Sequence, residues 1–256
     1  MERKYYTADE VVKILLEDPC AQTADGRLNC YKSAAVNYRS LTKGTPRRLV
    51  TEVLSAWICA NFKKYRREMF VCTRGAKSRG AVYRQVDAKG RDLHDGRAPD
   101  GPSPRAEDRI AMTFKGRSFR SIGKVLDYQV PLKDRQSDEM GKIDLVSYDK
   151  RTNRLFLLEL KDISNKKETL LRCLLEAYAY SRSLDRSAFS AEYGIPSDCK
   201  TVLCPLYFAG SRLEKDRNEM RAGKRPAYAS LVAKICDVEG FDVEFAKILD
   251  DEILFD

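Results

Sequence analysis

Apolar residues at Val11, Val12, Ile14 and Leu15 recur at helical spacing, and Thr7-Ala-Asp-Glu10 ahead of them is a capping box. A first helix is therefore predicted, ending near Glu17. Thr45-Pro46 supplies a cap followed by a first-turn proline, which predicts a second, longer helix. Its apolar positions include Leu49, Val53, Leu54, Trp57 and Ile58, and it runs out in Lys63, Lys64, Arg66 and Arg67. From Thr73 to Pro104 the pattern breaks into Gly, Pro, Arg and Asp, which reads as loop with a short hairpin around Ala81-Val-Tyr-Arg-Gln-Val86.

Beyond Pro104 the periodicity switches. A short helix is predicted from Glu107 to about Phe114, then strand-like runs at Lys124–Val130, Lys142–Tyr148 and Arg154–Lys161. Asn165-Lys-Lys-Glu168 has the form of a capping box for a long helix reaching about Leu184. A further apolar strand, Thr201–Phe208, precedes a helix from Ala227 to about Cys236 and a terminal strand, Phe241–Ile248. The order α-β-β-β-α-β-α-β predicts an α/β fold, a mixed sheet flanked by helices, from residue 105 to 256. Residues 1–104 form a mainly helical, basic region ahead of it.

No apolar run approaches the roughly 18 residues that span a bilayer, and no signal peptide is read at the charged N-terminus. The eight cysteines make no Cys-x-x-Cys pair and His94 is the single histidine, which argues against structural zinc and excludes any histidine cluster. Cys59, Cys173 and Cys204 lie in apolar runs, as reduced thiols of a cytoplasmic protein do. The net charge of +9 is concentrated: Asn61 to Lys124 holds 17 Lys/Arg against 7 Asp/Glu, and the rest is close to neutral. Such an excess attracts polyanions. Arg74, Lys77, Arg79 and Arg84, with Arg97 and Arg105, are candidates for tracking a phosphate backbone, with a solubilising loop as the alternative. Tyr83 could stack on a base or simply pack, and His94 sits in a polar loop.

The chemistry lies in the second and third strands. Alternation puts Glu159 and Lys161 of Leu155-Phe-Leu-Leu-Glu-Leu-Lys161 on one face. Asp149-Lys-Arg-Thr-Asn153 is a natural turn. Pairing centred between Arg151 and Thr152 sets Asp144 opposite Glu159, with Cβ atoms about 5 Å apart. Two carboxylates that close repel unless a cation lies between them, and a hard divalent ion such as Mg²⁺ suits oxygen ligands. An ammonium one pleat further can hold a water or a phosphate oxygen beside the metal, the set that phosphodiester hydrolysis requires. An acidic residue, any residue, then lysine occurs four times, at Glu2, Asp87, Glu159 and Asp198; only Glu159 follows an unbroken apolar strand. The competing reading is an edge hairpin with a surface Asp144/Lys161 ion pair.

Gly141-Lys-Ile-Asp144-Leu-Val and Leu157-Leu-Glu159-Leu-Lys161, within α-β-β-β-α-β, resemble the PD-(D/E)xK nuclease superfamily, the fold of many restriction enzymes and RecB-like nucleases. The resemblance runs from about Pro104 to the C-terminus, and Ile143 stands where the name-giving proline would be. It implies that Asp144 and Glu159 bind a catalytic Mg²⁺ (or Mn²⁺) and that Lys161 assists the attacking water. It further implies that Glu107, from the first core helix, joins the metal ligands. The RecB-like motif Gln-x-x-x-Tyr corresponds to Glu176-Ala-Tyr-Ala-Tyr180. Either both residues look into the site, or Glu176 pairs with Arg172 while Tyr180 packs in the core. The expected function is a Mg²⁺-dependent nuclease acting on DNA. The alternatives are a non-catalytic nucleic-acid-binding protein of the same fold and a nuclease subunit of a larger defence, repair or restriction assembly, with an oligomer or protein partner.

Overall fold

The computed structural model of the protein describes residues 5–22, 28–69, 106–132 and 141–256. Arg74, Lys77, Arg79 and Arg84, the hairpin expected at 81–86 with Tyr83, and His94, Arg97 and Arg105 lie outside the described residues.

Helix α1 (Ala8–Glu17) opens on the expected capping box: the Thr7 hydroxyl accepts from Glu10 N–H, and Thr7 N–H donates to Glu10 Oε2 at 2.7 Å. Two 3₁₀ turns follow, Cys30–Lys32 and Ala34–Asn37. Helix α2 (Val50–Met69) starts later than Thr45-Pro46 predicts. Leu41 and Leu49 form an antiparallel bridge, Thr42 N–H donates to Arg48 O, and Arg48 N–H donates to the Thr42 hydroxyl. These bonds close residues 42–48 into a loop, so the proline turns the chain ahead of the helix instead of opening it.

After α3 (Ala106–Phe114), strands β1 (Ser118–Phe119), β2 (Gly123–Pro131), β3 (Lys142–Asp149) and β4 (Arg154–Lys161) pair antiparallel in sequence order. The chain crosses through α4 (Leu170–Ser183) and α5 (Arg186–Tyr193) to β5 (Lys200–Phe208), which lies parallel to β4. Next come α6 (Arg212–Arg221), α7 (Pro226–Glu239), β6 (Asp242–Val243), β7 (Ala246–Leu249) and β8 (Glu252–Phe255). The strand order is β1-β2-β3-β4-β5-β7-β8, with β6 also on β5. The fold is mixed α/β, a mostly antiparallel mixed sheet with flanking helices.

Alternation along β4 divides two cores. Leu155 and Leu157 belong with residues of α1, α2, α4 and α7 to one cluster, whereas Phe156, Leu158 and Leu160 belong with Ala111 and Phe114 of α3 to the other. Residues of the N-terminal region, Val11, Tyr31, Leu54 and Ile58 among them, belong to the first cluster together with β4 and α4. No helix among the described residues is long and apolar enough to cross a membrane.

Three differences from the sequence expectation have local causes. Asn165 makes an Asx turn, its Oδ1 accepting from Lys167 and Glu168 N–H, so Thr169 caps α4. Helices α5 and α6 were not anticipated; α6 buries only Leu213 and carries no apolar stripe to read. The terminal strand is broken into β6 and β7, and a hairpin through Asp250 and Asp251, both at positive φ, adds β8.

Candidate active site

The β3–β4 turn is built by its own side chains. Asp149 accepts from Arg151 N–H and from the Thr152 hydroxyl, and Asn153 takes the left-handed conformation at φ 52°. The resulting register pairs Asp149 with Arg154 and Leu145 with Leu158. Asp144 and Glu159 are the next residues of the two strands beyond that last pair, and the charge of Asp144 is felt at Glu159. At the far side of β3, Gly123 at φ 72° lets β2 start hard against Tyr148, since a Cβ there would lie 2.3 Å from the Tyr148 carbonyl oxygen.

Glu159 and Lys161 stand on the face of β4 covered by α4, and both are buried, at 3% and 4% exposure. Lys161 Nζ lies 2.6 Å from Glu159 Oε1, 3.3 Å from Glu168 Oε2 and 3.4 Å from Glu176 Oε2. The surface ion pair between Asp144 and Lys161 is therefore excluded: Lys161 is a buried cation among three glutamates. Asp144, also buried, accepts from Gln129 Nε2 at 2.7 Å and from Leu160 N–H at 2.9 Å. Glu159 Oε2 is buried and has no hydrogen-bond partner among the described residues.

The alternatives for Glu176 and Tyr180 are both realised. Glu176 Oε2 is shared between Lys161 and Arg172, each at 3.4 Å, and Tyr180 donates its hydroxyl to Glu176 Oε1 at 2.9 Å. Glu107 stands apart from this contact set. Its Oε1 accepts from Asp162 N–H at 3.1 Å and from Asn165 Nδ2 at 3.4 Å, tying α3 to the loop that leaves β4. Its charge nonetheless reaches Asp144. Among the described residues no group of three or more His, Cys, Asp or Glu is gathered as a metal-ligand set.

Protonation follows from burial against charge. Burial pushes the Asp144 carboxyl up to about 6, with Lys161 opposing and Glu176 and Glu107 adding to the rise. Burial, then the charges of Asp144 and Glu176, drives Glu159 well above the usual carboxylate range. Burial opposes the charge on Lys161 too, but Glu159, Glu176 and Asp144 outweigh it and hold the ammonium well above its ordinary value. For Glu176 burial is likewise the largest influence, yet Lys161 and Arg172 overcome it and lower its pKa.

Three contributors escaped the sequence reading. Gln129, at positive φ beside an irregularity in β2, is the lone amide in an apolar stretch of strand facing Asp144. Glu168, read as a helix cap, reaches Lys161 instead. Tyr31, from the N-terminal region, packs edge-on against Tyr180 with ring centroids 5.6 Å apart and carries Arg172 over its face at 5.4 Å. An aromatic residue in a 3₁₀ turn gives no pattern that points to a site one hundred residues on.

Gly141 has a steric duty: a Cβ there would lie 2.0 Å from the Tyr180 hydroxyl. Gly141→Ala is expected to cost about 1–3 kcal/mol and to detach Tyr180 from Glu176. Equilibrium unfolding tests this, and a midpoint within error of the parent would show that the ring has room to retreat.

Compared with protein-family models, with curated proteins and with solved structures, the chain gives no match.

Proposed function

We propose that the protein is a Mg²⁺-dependent phosphodiesterase of the PD-(D/E)xK kind, acting on DNA, with its reacting centre at Asp144, Glu159 and Lys161. One observation carries the reading: four carboxylates (Asp144, Glu159, Glu168 and Glu176) surround two cations, Lys161 and Arg172, at the end of a buried strand. With every group ionised the carboxylates would exceed the cations by two, an excess that the raised pKa values of Asp144 and Glu159 express, and among the described residues the buried Glu159 Oε2 has no hydrogen-bond partner. A divalent cation matches that deficit and that donor set, and Asp144 and Glu159 are the residues that would hold it. When bound, it would lower the pKa of a water and offset charge developing at phosphorus.

The chain's own residues supply the rest. Lys161, kept charged by its glutamates, presents an ammonium to a non-bridging phosphate oxygen or to the attacking water. Glu176, held ionised by Lys161 and Arg172, fixes the position of that ammonium, and Tyr180 fixes Glu176. Gln129 and Leu160 N–H orient Asp144. Glu107 acts through the backbone of Asp162, holding the exit of β4 where substrate would enter.

A second reading, a nucleic-acid-binding protein without catalysis, is favoured by the self-contained bonding of the cluster: both Asp144 oxygens already accept hydrogen bonds and Lys161 sits directly on Glu159. Incubating purified protein with linear, circular and single-stranded DNA and with RNA, in Mg²⁺, Mn²⁺ or chelator, separates the two. Cleavage of DNA that chelator stops is the expected result. Binding with no cleavage in either metal would establish the second reading.

A further inference from the structure

On the flank of α4 the loop from Ser40 to Arg47 faces α6. It is pinned at its ends, with Val50 N–H donating to Ser40 O at 3.0 Å and Lys43 N–H to Tyr6 O at 2.7 Å. Between loop and helix opens a cavity of about 800 Å³, lined by Arg39, Lys43, Arg47 and Arg212, with Ser40 and Thr42 beside them. Tyr5 and Leu41, 45% and 43% exposed, form its apolar wall. The size falls within the roughly 300–1,000 Å³ typical of small-molecule sites.

Charge here is unbalanced in the opposite sense to the acidic cluster. Among the described residues the cavity is lined by four cations and no carboxylate. The adjacent Asp216 is committed: Arg39 Nη1 donates to both of its oxygens at 2.8 Å, and Arg225 Nη2 lies 3.5 Å away. Arg39 Nε is buried and has no hydrogen-bond partner among the described residues. Burial, with the like charges of Arg212 and Arg225, holds the Arg39 guanidinium below its usual range although Asp216 opposes this. Arg39 is thus matched by Asp216, whereas Lys43, Arg47 and Arg212 meet no carboxylate among the described lining residues; such cations are satisfied by an anion, and the guanidinium fork fits phosphate.

We propose that this cavity binds the phosphate of a nucleotide, on Lys43, Arg47 and Arg212, with the base against Tyr5 and Leu41. The choice of a nucleotide over another phosphate ester rests on the phosphodiesterase reading and on the connection between the sites. Glu168 joins them: its carbonyl accepts from Arg39 Nη2, and its carboxylate lies 3.3 Å from Lys161 Nζ. A strand anchored in the cavity thus lies beside the acidic cluster. The aromatic wall suits a base because every base offers a face for stacking. The nucleotide is either a unit of a single strand or a free mononucleotide, since both present the same phosphate and base.

The test is binding in chelator, where no cleavage occurs, of a short 5′-phosphorylated single-stranded DNA and, separately, of adenosine 5′-monophosphate. The parent is compared with Lys43→Ala/Arg47→Ala/Arg212→Ala, three exposed positions whose loss spares the Arg39–Asp216 packing. Affinity is expected to fall at least tenfold. For the strand, the slope of log affinity against log salt should flatten by about two units, at about 0.7 per phosphate contact. Loss of strand binding identifies a strand unit; loss of mononucleotide binding in a parent that ignores the strand identifies a free nucleotide. A triple variant that binds both as the parent does, or a parent that binds neither, overturns the site. Cleavage assayed apart in Mg²⁺ keeps the two ideas separate. A parent that binds here and cuts nothing ends the phosphodiesterase reading alone, whereas one that cuts while the triple variant binds unchanged ends the cavity proposal alone.

Discussion

Lys161→Met is expected to slow phosphodiester hydrolysis about 10²–10³-fold, the loss typical of deleting one preorganised donor to a developing charge, and to destabilise the fold more at pH 8 than at pH 5. The stability part follows from what the ammonium touches. Three glutamates converge on it within 3.4 Å in a buried setting, and stripping one partner from a buried pair costs about 3–5 kcal/mol. Lys161 itself stays protonated across this range, its pKa being raised, so the pH dependence comes from the carboxylates. Lys161 is the charge that restrains the upward shifts of Asp144 and Glu159. Without it both rise further, protonation rescues the variant at pH 5, and ionisation penalises it at pH 8. Denaturant unfolding at the two pH values measures this, and equal losses would mean that the cluster does not titrate as a unit. Lys161→Met/Glu159→Gln then separates stability from chemistry. Removing the orphaned charge should recover much of the stability, while cleavage stays at or below the rate of Lys161→Met. A double variant that cleaves at the parental rate would remove Lys161 and Glu159 from the reaction.

Much of this cluster could be read from the chain because it rests on local rules. Asp149, Thr152 and Asn153 define the turn, the turn defines the register, and strand alternation brings Glu159 and Lys161 to one side, where the charge of Asp144 reaches both. The capping box at Thr7 and the apolar runs of β2 to β5 are legible for the same reason. What could not be read is set by tertiary context. Asn165 and Thr169 both have cap chemistry, and only the Asx turn at Asn165 decides that the helix starts at Leu170. Pro46 is as compatible with a loop as with a first turn, and the Leu41–Leu49 bridge settles the matter. Gln129, Glu168 and Tyr31 reach the cluster through a strand irregularity, a loop and a separate N-terminal turn, none of which leaves a periodic trace. The cationic cavity shows the same limit more sharply. Arg39, Lys43 and Arg47 meet Arg212 across more than 160 positions of sequence, whereas the charge count pointed to residues 61–124.

Asp144→Asn is expected to stabilise the metal-free protein at pH 8 by about 1–3 kcal/mol while abolishing cleavage. The sign follows from the direction of the shift. Folding raises the Asp144 pKa to about 6, against roughly 3.9 in an unfolded chain. Between those values the folded state binds the extra proton, so stability falls as pH rises through the window and the full cost is carried above it. A shift of about two units corresponds to about 3 kcal/mol, and the lower end of the range allows for imperfect replacement. Asparagine is the right substitute because it keeps the bonding. Its carbonyl can accept from Leu160 N–H as Asp144 Oδ2 does, and its amide can donate to Gln129 once that side chain turns over. A divalent cation relieves the same cost in the parent by a different route, compensating the ionised carboxylate instead of removing it. Mg²⁺ should therefore stabilise the parent at pH 8 by about 2.7 kcal/mol at a hundredfold excess over its dissociation constant, raising its unfolding midpoint. The effect should be small at pH 5, where the proton competes, and absent in Asp144→Asn. Thermal unfolding of parent and variant at both pH values, with Mg²⁺ and with chelator, gives all four comparisons. An Asp144→Asn variant less stable than the parent at pH 8 would show that the carboxylate is already compensated within the fold. A parent whose midpoint ignores Mg²⁺ at pH 8 would leave Asp144 and Glu159 as a structural pair.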